Sequence, residues 1–153
     1  MTTEYIVQLR HSDLPQLRDL LTANHLPDDD CAEQIEGICG IFDGDTLVAA
    51  GGLEFLGDNA LLRSVVVHHA YRNQGFAHRL TMHLLQQAEI QEVSVVYLLT
   101  ETAADYFKNL GFQPIARERV PAEVQATRQF SSLCPDSAAC LCIGLPLMSM
   151  APA

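Results

Sequence analysis

A β-prone run at 61–67 and an apolar run at 93–99 flank a stretch from Gly75 to Glu89 whose hydrophobic residues recur at helical spacing. No other feature of the chain restricts its fold so tightly. Residues 61–67 are β-prone along their length. Residues 93–99 are apolar almost without interruption and too short for a typical helix, so they suit a strand buried on both faces. Between them, Phe76, Leu80, Leu84 and Ala88 fall at i, i+4 positions, with Ala77 and Leu85 widening the stripe. Strand, helix and strand in that order make a βαβ crossover, so the two strands are parallel.

The remaining segments extend a sheet around this unit. Residues 5–9 read as a first strand. Ser12 is the expected N-cap of a helix with Pro15 in its first turn, and Leu14, Leu17, Leu20 and Leu21 carry its apolar face to about Asn24. Residues 27–30 form a loop leading into a short second helix through Ile35. Residues 38–42, a turn at Asp43-Gly44-Asp45, residues 46–56, a turn at 57–59 and residues 61–67 make an antiparallel meander of three strands. After the crossover come a short helix at 102–110 stopped by Gly111, a strand at 112–117, a helix at 121–130 opened by Pro121, and a last strand at 139–147. The order predicts a single α/β domain over 1–153, with a mixed sheet in which an antiparallel N-terminal meander adjoins a parallel strand pair. A chain of 153 residues is long enough to bury a core of that kind.

Charge excludes some functions. The formal net charge is −10, which argues against a nucleic-acid surface. No apolar run approaches the ~20 residues a membrane helix needs. The first residues, Met1-Thr2-Thr3-Glu4, lack the basic and apolar regions of a signal peptide, so a cytoplasmic setting with reduced thiols is expected. The five cysteines form no C-x-x-C pair, and the six histidines show no metal-ligand spacing, so no metal site is assigned.

The stretch with chemical meaning runs from Val65 to Ala77. A strand enters a short loop, His68-His69-Ala70-Tyr71-Arg72-Asn73-Gln74, which opens a helix through Gly75 and Ala77. The first-turn amides of a helix have no intrahelical acceptor, and the helix dipole adds positive potential there. Such an end suits a phosphate. Gly75 permits close backbone approach, and Arg72 adds a fixed charge. Neither G-x-x-x-x-G-K-[ST] nor G-x-G-x-x-G after a strand occurs. The acidic balance of the chain opposes an anionic ligand, so local donors have to overcome it.

Arg72-x-x-Gly75-x-Ala77 after Val65-Val66-Val67 resembles the [Q/R]-x-x-G-x-[G/A] acetyl-CoA signature of the GNAT superfamily of N-acetyltransferases. The downstream strand at 93–99 and the segment Phe107-Lys108-Asn109-Leu110-Gly111-Phe112, similar to the family's Y-x-x-x-G-F ending, extend the likeness across about 40–115. Leu53-Glu54 with Leu61-Leu62-Arg63-Ser64, and the stretch from Gln129 to Cys140, further resemble the GNAT proteins encoded in bacterial arsenic-resistance operons.

The resemblance implies an acetyl-CoA-dependent N-acetyltransferase acting on the amine of a small molecule, an amino acid or an amino-acid-like toxin, in a setting of arsenic resistance. It implies that Val65, Val66 and Val67 hold the pantetheine arm where strands 61–67 and 93–99 splay apart. Backbone N–H groups of Arg72, Asn73, Gln74, Gly75, Phe76 and Ala77 then grip the diphosphate. Val65 is the expected oxyanion donor and Glu54 the first candidate proton acceptor, with Glu101 second. Arg63, Ser64 and Thr100 are candidate substrate-binding residues; a surface ion pair accounts equally for Arg63, and a helix cap for Thr100. Phe107 stands where the family often has an acidic tyrosine and is counted with the cofactor-binding residues. Its lack of a hydroxyl keeps open an alternative, a non-catalytic sensor of acetyl-CoA or of a metalloid bound by Cys134, Cys140 and Cys142. A homodimer is expected if the C-terminal strand offers its edge to a second copy.

Overall fold

The computed structural model describes residues 5–133 and 137–147. In chain order the strands and α-helices are β1 (Ile6–Gln8), α1 (Leu14–Ala23), β2 (Ile38–Asp43), β3 (Thr46–Leu56), β4 (Asn59–Val67), α2 (Phe76–Ile90), β5 (Val95–Thr100), α3 (Ala104–Asn109), β6 (Gln113–Pro114), α4 (Ala122–Gln125) and β7 (Ala139–Gly144). The strands follow the order β1-β2-β3-β4-β5-β7-β6 in a seven-stranded mixed sheet. The fold class is the expected one. None of the described helices is long and apolar enough to cross a membrane. The chain divides into two compact units, 1–54 with 62–85 and 55–61 with 86–153.

In the first unit, β1 runs antiparallel to β2, from Ile6↔Ile41 to Gln8↔Cys39. β2 pairs β3 from Ile38↔Gly52 to Asp43↔Thr46, with an irregularity between Ile41 and Phe42. The hairpin turn lies where the Asp-Gly pair predicts it, with Gly44 left-handed at φ 61°. Period-2 alternation sends side chains to both faces. On one face, Leu17, Leu20 and Leu21 of α1 pack with Cys31, Ile35, Ile38, Ala50 and Val66. Another cluster joins Ile41, Val48 and Ala49 to Phe76 and Leu80 of α2.

Two expectations in this unit are corrected. Ser12 does not cap α1: it lies in a 3-10 turn at His11–Asp13, and Asp13 is the N-cap residue. Asp13 is held there because its Oδ2 accepts a hydrogen bond from Arg10 N at 2.8 Å. The second helix before Ile35 is absent; turns lead to a single 3-10 turn at Ile35–Gly37.

In the second unit, the start of β4 pairs β5 in parallel through Asn59↔Val95, Ala60↔Val96 and Leu61↔Tyr97. β7 runs antiparallel to β5 over six pairs, Val95↔Gly144 to Thr100↔Ala139. It also pairs β6 through Gln113↔Cys142 and Pro114↔Leu141. β7 is therefore an interior strand, and the expectation that it presents a free edge to a second copy is corrected. Leu61, Tyr97, Val120, Val124, Phe130 and Cys140 form the core.

The C-terminal half departs most from expectation. The strand at 112–117 shrinks to Gln113–Pro114, although Ile115 N still donates to Cys140 O of β7 at 3.0 Å. The helix at 121–130 stops after Gln125. Thr127 Oγ1 donates to Val124 O at 2.7 Å, a local side-chain bond that competes with helix continuation, and a π turn follows at Gln129–Leu133. Gly111, at φ 110°, ends α3 as its position predicts.

Candidate functional site

β4 carries Arg63, Ser64, Val65, Val66 and Val67 of the sequence-predicted residues, and its interior is irregular. Ser64 adopts φ 58°, in the left-handed region that non-glycine residues seldom enter. A left-handed residue interrupts the alternation of a strand, as in a β-bulge, and re-aims the residues beside it. Such strain concentrates where function over-determines the backbone. Nothing in the sequence announces it, since Ser64 sits in an unbroken β-prone run.

Beside this irregularity, Arg63 meets Asp30. Nη1 donates to Oδ2 and Nη2 to Oδ1, both at 2.5 Å, and both side chains are only 1% exposed. Arg63 Nε and Nη2 also reach Ser64 Oγ at 3.3 Å. A fork of donors matched to a carboxylate is the geometry arginine forms best. Arg63 is thus not an open cation: an incoming anion has to displace Asp30 from a site closed to water. The pair is buried, so the expectation of a surface ion pair for Arg63 is corrected. Asp30 is the residue that sequence reasoning missed; within Asp28-Asp29-Asp30 it carries no signal separating it from a solvated loop acid.

Glu54 of β3 lies next to this pair. Its Oε1 is 3.9 Å from Arg63 Nη1, and its side chain is 18% exposed. That oxygen is buried and has no hydrogen-bond partner among the described residues. Burial pushes the Glu54 carboxyl above its usual range, Arg63 opposes the rise, and Asp30 and Glu33 add to it. A carboxylate biased toward holding a proton, with an unpartnered oxygen, is equipped to accept one from a reacting group.

Val65, Val66 and Val67 follow. Val66 is buried in the α1 cluster, and Val67 packs against the cluster containing Phe76. The loop beyond β4 is fastened at several points. His68 N donates to Val48 O at 2.7 Å. Tyr71 Oη donates to Asp43 Oδ2 at 2.6 Å, and its ring lies against Phe76. His68 Nδ1 accepts from Ala70 N at 3.1 Å. Arg72 is exposed, and its Nη2 donates to Asn24 Oδ1 at the end of α1. Asn73 and Gly75 both take positive φ, 64° and 83°. The chain therefore turns sharply before α2.

The first helical bond of α2 runs from Arg79 N to Gly75 O at 3.0 Å. The amides of Phe76, Ala77 and His78 precede it and have no intrahelical acceptor. A Cβ built on Gly75 meets nothing within 4 Å, so the space beside this turn is open. Residues 72–77 thus fit a diphosphate: open space, left-handed backbone and amides without intrahelical acceptors at a helix start.

Thr100 and Phe107 belong to the second unit. Thr100 Oγ1 accepts from Ala103 N at 3.0 Å in the turn ahead of α3; Ala103 is the N-cap residue of that helix, so the helix-cap account of Thr100 is corrected. Glu101 is exposed. Phe107 is 6% exposed, and its ring packs edge-on against Phe112 at 5.6 Å. Tyr106 is more exposed, and burial raises its phenol above the usual value.

The cysteines point away from metalloid capture. Cys134 lies outside the described residues. Cys140 and Cys142 belong to the β7 core, where burial pushes the Cys140 thiol up to about 11 and raises Cys142. Thiols so shifted are protonated near neutrality, and the thiolate is the form that binds soft ions. No group of three His, Cys, Asp or Glu suited to a metal occurs among the described residues.

The acetyltransferase (GNAT) family model matches residues 4–112. Among solved structures, Rv2747 from Mycobacterium tuberculosis, in complex with CoA and NLQ, is similar at a TM-score of 0.78 and 20% identity, over 93% of this chain and 99% of that one. N-acetylglutamate synthase from Neisseria gonorrhoeae, complexed with coenzyme A and N-acetyl-glutamate, gives 0.81 at 16% identity, over 96% of this chain and 36% of that one. The ribosomal-protein-S18-alanine N-acetyltransferase from Escherichia coli gives 0.73 at 18% identity, over 95% and 96%. At such identities the likeness speaks for the fold. No curated protein sequence matches the chain.

Proposed function

We propose, from the premise that this chain belongs to the acetyltransferase (GNAT) family and is an acyltransferase, that it moves the acetyl group of acetyl-CoA to the amine of a small molecule. The observation that carries the reading is the start of α2, where open space beside left-handed Gly75 adjoins amides without intrahelical acceptors. Acetyl-CoA supplies an activated thioester. Backbone groups from Arg72 to Ala77 hold its diphosphate, and the six residues of β4 beyond the Leu61↔Tyr97 pair lie along its pantetheine arm, with Val65 and Val67 contributing main-chain bonds.

Glu54 accepts the proton of the attacking amine, directly or through water, because its buried oxygen is unpartnered and its carboxyl is biased toward the protonated form. The amide of Val65, which follows the left-handed residue, stabilises the developing oxyanion. Ser64 remains the polar group for the acceptor, whereas the guanidinium of Arg63 is committed to Asp30. Phe107 has no hydroxyl with which to protonate a leaving group.

An amino acid or amino-acid-like toxin as acceptor is supported by the resemblance to arsenic-operon proteins and by the similar structure complexed with N-acetyl-glutamate. A cytoplasmic detoxifying role in arsenic resistance follows from the same resemblance. The competing reading, a non-catalytic sensor of acetyl-CoA or a metalloid, draws on Phe107; its metalloid form is weakened by the raised thiols. Thiol release from acetyl-CoA, measured over amino acids, phosphinothricin-like compounds and arsenical analogues, separates the two. Release with any amine supports the enzyme, and binding without release supports the sensor.

Calorimetric titration of acetyl-CoA tests the placement of the diphosphate. Gly75→Val puts a β-branched residue at φ 83° and is expected to weaken binding at least about tenfold, or 1.4 kcal/mol. Unchanged affinity in a folded variant would overturn that placement.

A further inference from the structure

Glu54, Arg63 and Asp30 come from three separate segments: β3, β4 and the turns before Ile35. Their geometry is graded. Asp30 holds the guanidinium with two short bonds, while Glu54 stands 3.9 Å from Nη1 with a buried oxygen that no group among the described residues satisfies. If the guanidinium turned to Glu54 instead, that carboxylate would be ion-paired and a poor base. The side chain that prevents this is Asp30. We infer that Asp30 is a positioning residue that engages Arg63 away from Glu54 and so keeps the Glu54 carboxylate free to take a proton.

The inference rests on the reading of Glu54 as proton acceptor. The charged groups acting on Glu54 are Arg63 from β4, and Asp30 and Glu33 from the turns beneath it. Arg63 draws its proton affinity down, and the two acids raise it. With Asp30 neutralised, the guanidinium loses its carboxylate partner and turns its charge on Glu54. The Glu54 titration then moves to lower pH. Loss of the Asp30 charge lowers the midpoint in the same direction, and only a residue with no charge linkage to Glu54 would leave it in place.

Carbon-13 NMR of the side-chain carboxyls, followed against pH in the whole chain without ligand, reads this directly. Glu54→Gln identifies the Glu54 resonance by deleting it. In Asp30→Asn the Glu54 midpoint is expected to fall by about one pH unit, the order seen for an opposite charge within a few ångströms. An unmoved midpoint in folded Asp30→Asn overturns the inference. Should that variant fail to fold, nitrogen-15 resonances of the Arg63 guanidinium in the native chain decide. They are expected to shift with the Glu54 midpoint and to lose that step in Glu54→Gln; an Arg63 signal blind to Glu54 overturns the coupling. Acetyl transfer by Glu54→Gln is a separate measurement. If it equals the native rate, the proton-acceptor reading falls whatever the NMR shows.

Discussion

Burying Arg63 and Asp30 together removes two charges from water, and only their mutual bonds offset that loss. Half of such a pair is worse than none. Asp30→Ala is expected to lower unfolding stability by about 3–5 kcal/mol, because it strands a guanidinium in a closed site. The double variant Asp30→Ala/Arg63→Met, which replaces the cation with an apolar side chain of similar length, is expected to lose distinctly less. Urea denaturation of both variants at neutral pH checks this. Equal losses would mean that the pair contributes packing and not charge compensation. The arrangement also explains why Asp30 was not legible in the sequence: Ser64 and Glu54 lie near Arg63 along or across a hairpin, whereas Asp30 arrives from 33 positions away.

Elements with one dominant periodicity were legible. β3 was read to its observed ends, and α2 and β5 to within two residues, because each shows a sustained period of 2 or 3.6 or a continuous apolar run. The helix after Pro121 was misread where local chemistry interrupts the pattern, at Thr127. The turn at the start of α2 was legible because Gly75 and the strand before it are both sequence signals. The left-handed residue inside β4 was not, because a hydrophilic residue in a strand ordinarily means a solvent-facing position. That residue permits a test at the level of the strand. Ser64→Gly, which suits φ 58°, is expected to change stability by less than about 1 kcal/mol. Ser64→Val, β-branched and incompatible with that angle, is expected to cost about 1–3 kcal/mol and to reduce acetyl transfer beyond what lost stability explains. Thermal unfolding and initial rates, measured on both, distinguish an irregularity the site requires from one it merely tolerates.

At the scale of the whole molecule, 9 Lys and Arg stand against 19 Asp and Glu, and the proposed cofactor is itself a polyanion. The long-range field therefore opposes the encounter, while the donors at the start of α2 act only at contact. Salt separates these two effects. At about 0.01 M ionic strength the screening length is ~30 Å, so an approaching ligand feels the net charge of the protein; at about 0.15 M it is ~8 Å, and only nearby groups matter. Hydrogen bonds from backbone amides lose little to screening by comparison. The association rate constant for acetyl-CoA, measured by stopped-flow, is accordingly expected to rise roughly two- to fivefold between those conditions, opposite in sign to capture by a basic surface. A rate that falls with salt would show that local cations such as Arg72 steer the cofactor in, and that the amides of α2 are its final grip and not its first attraction.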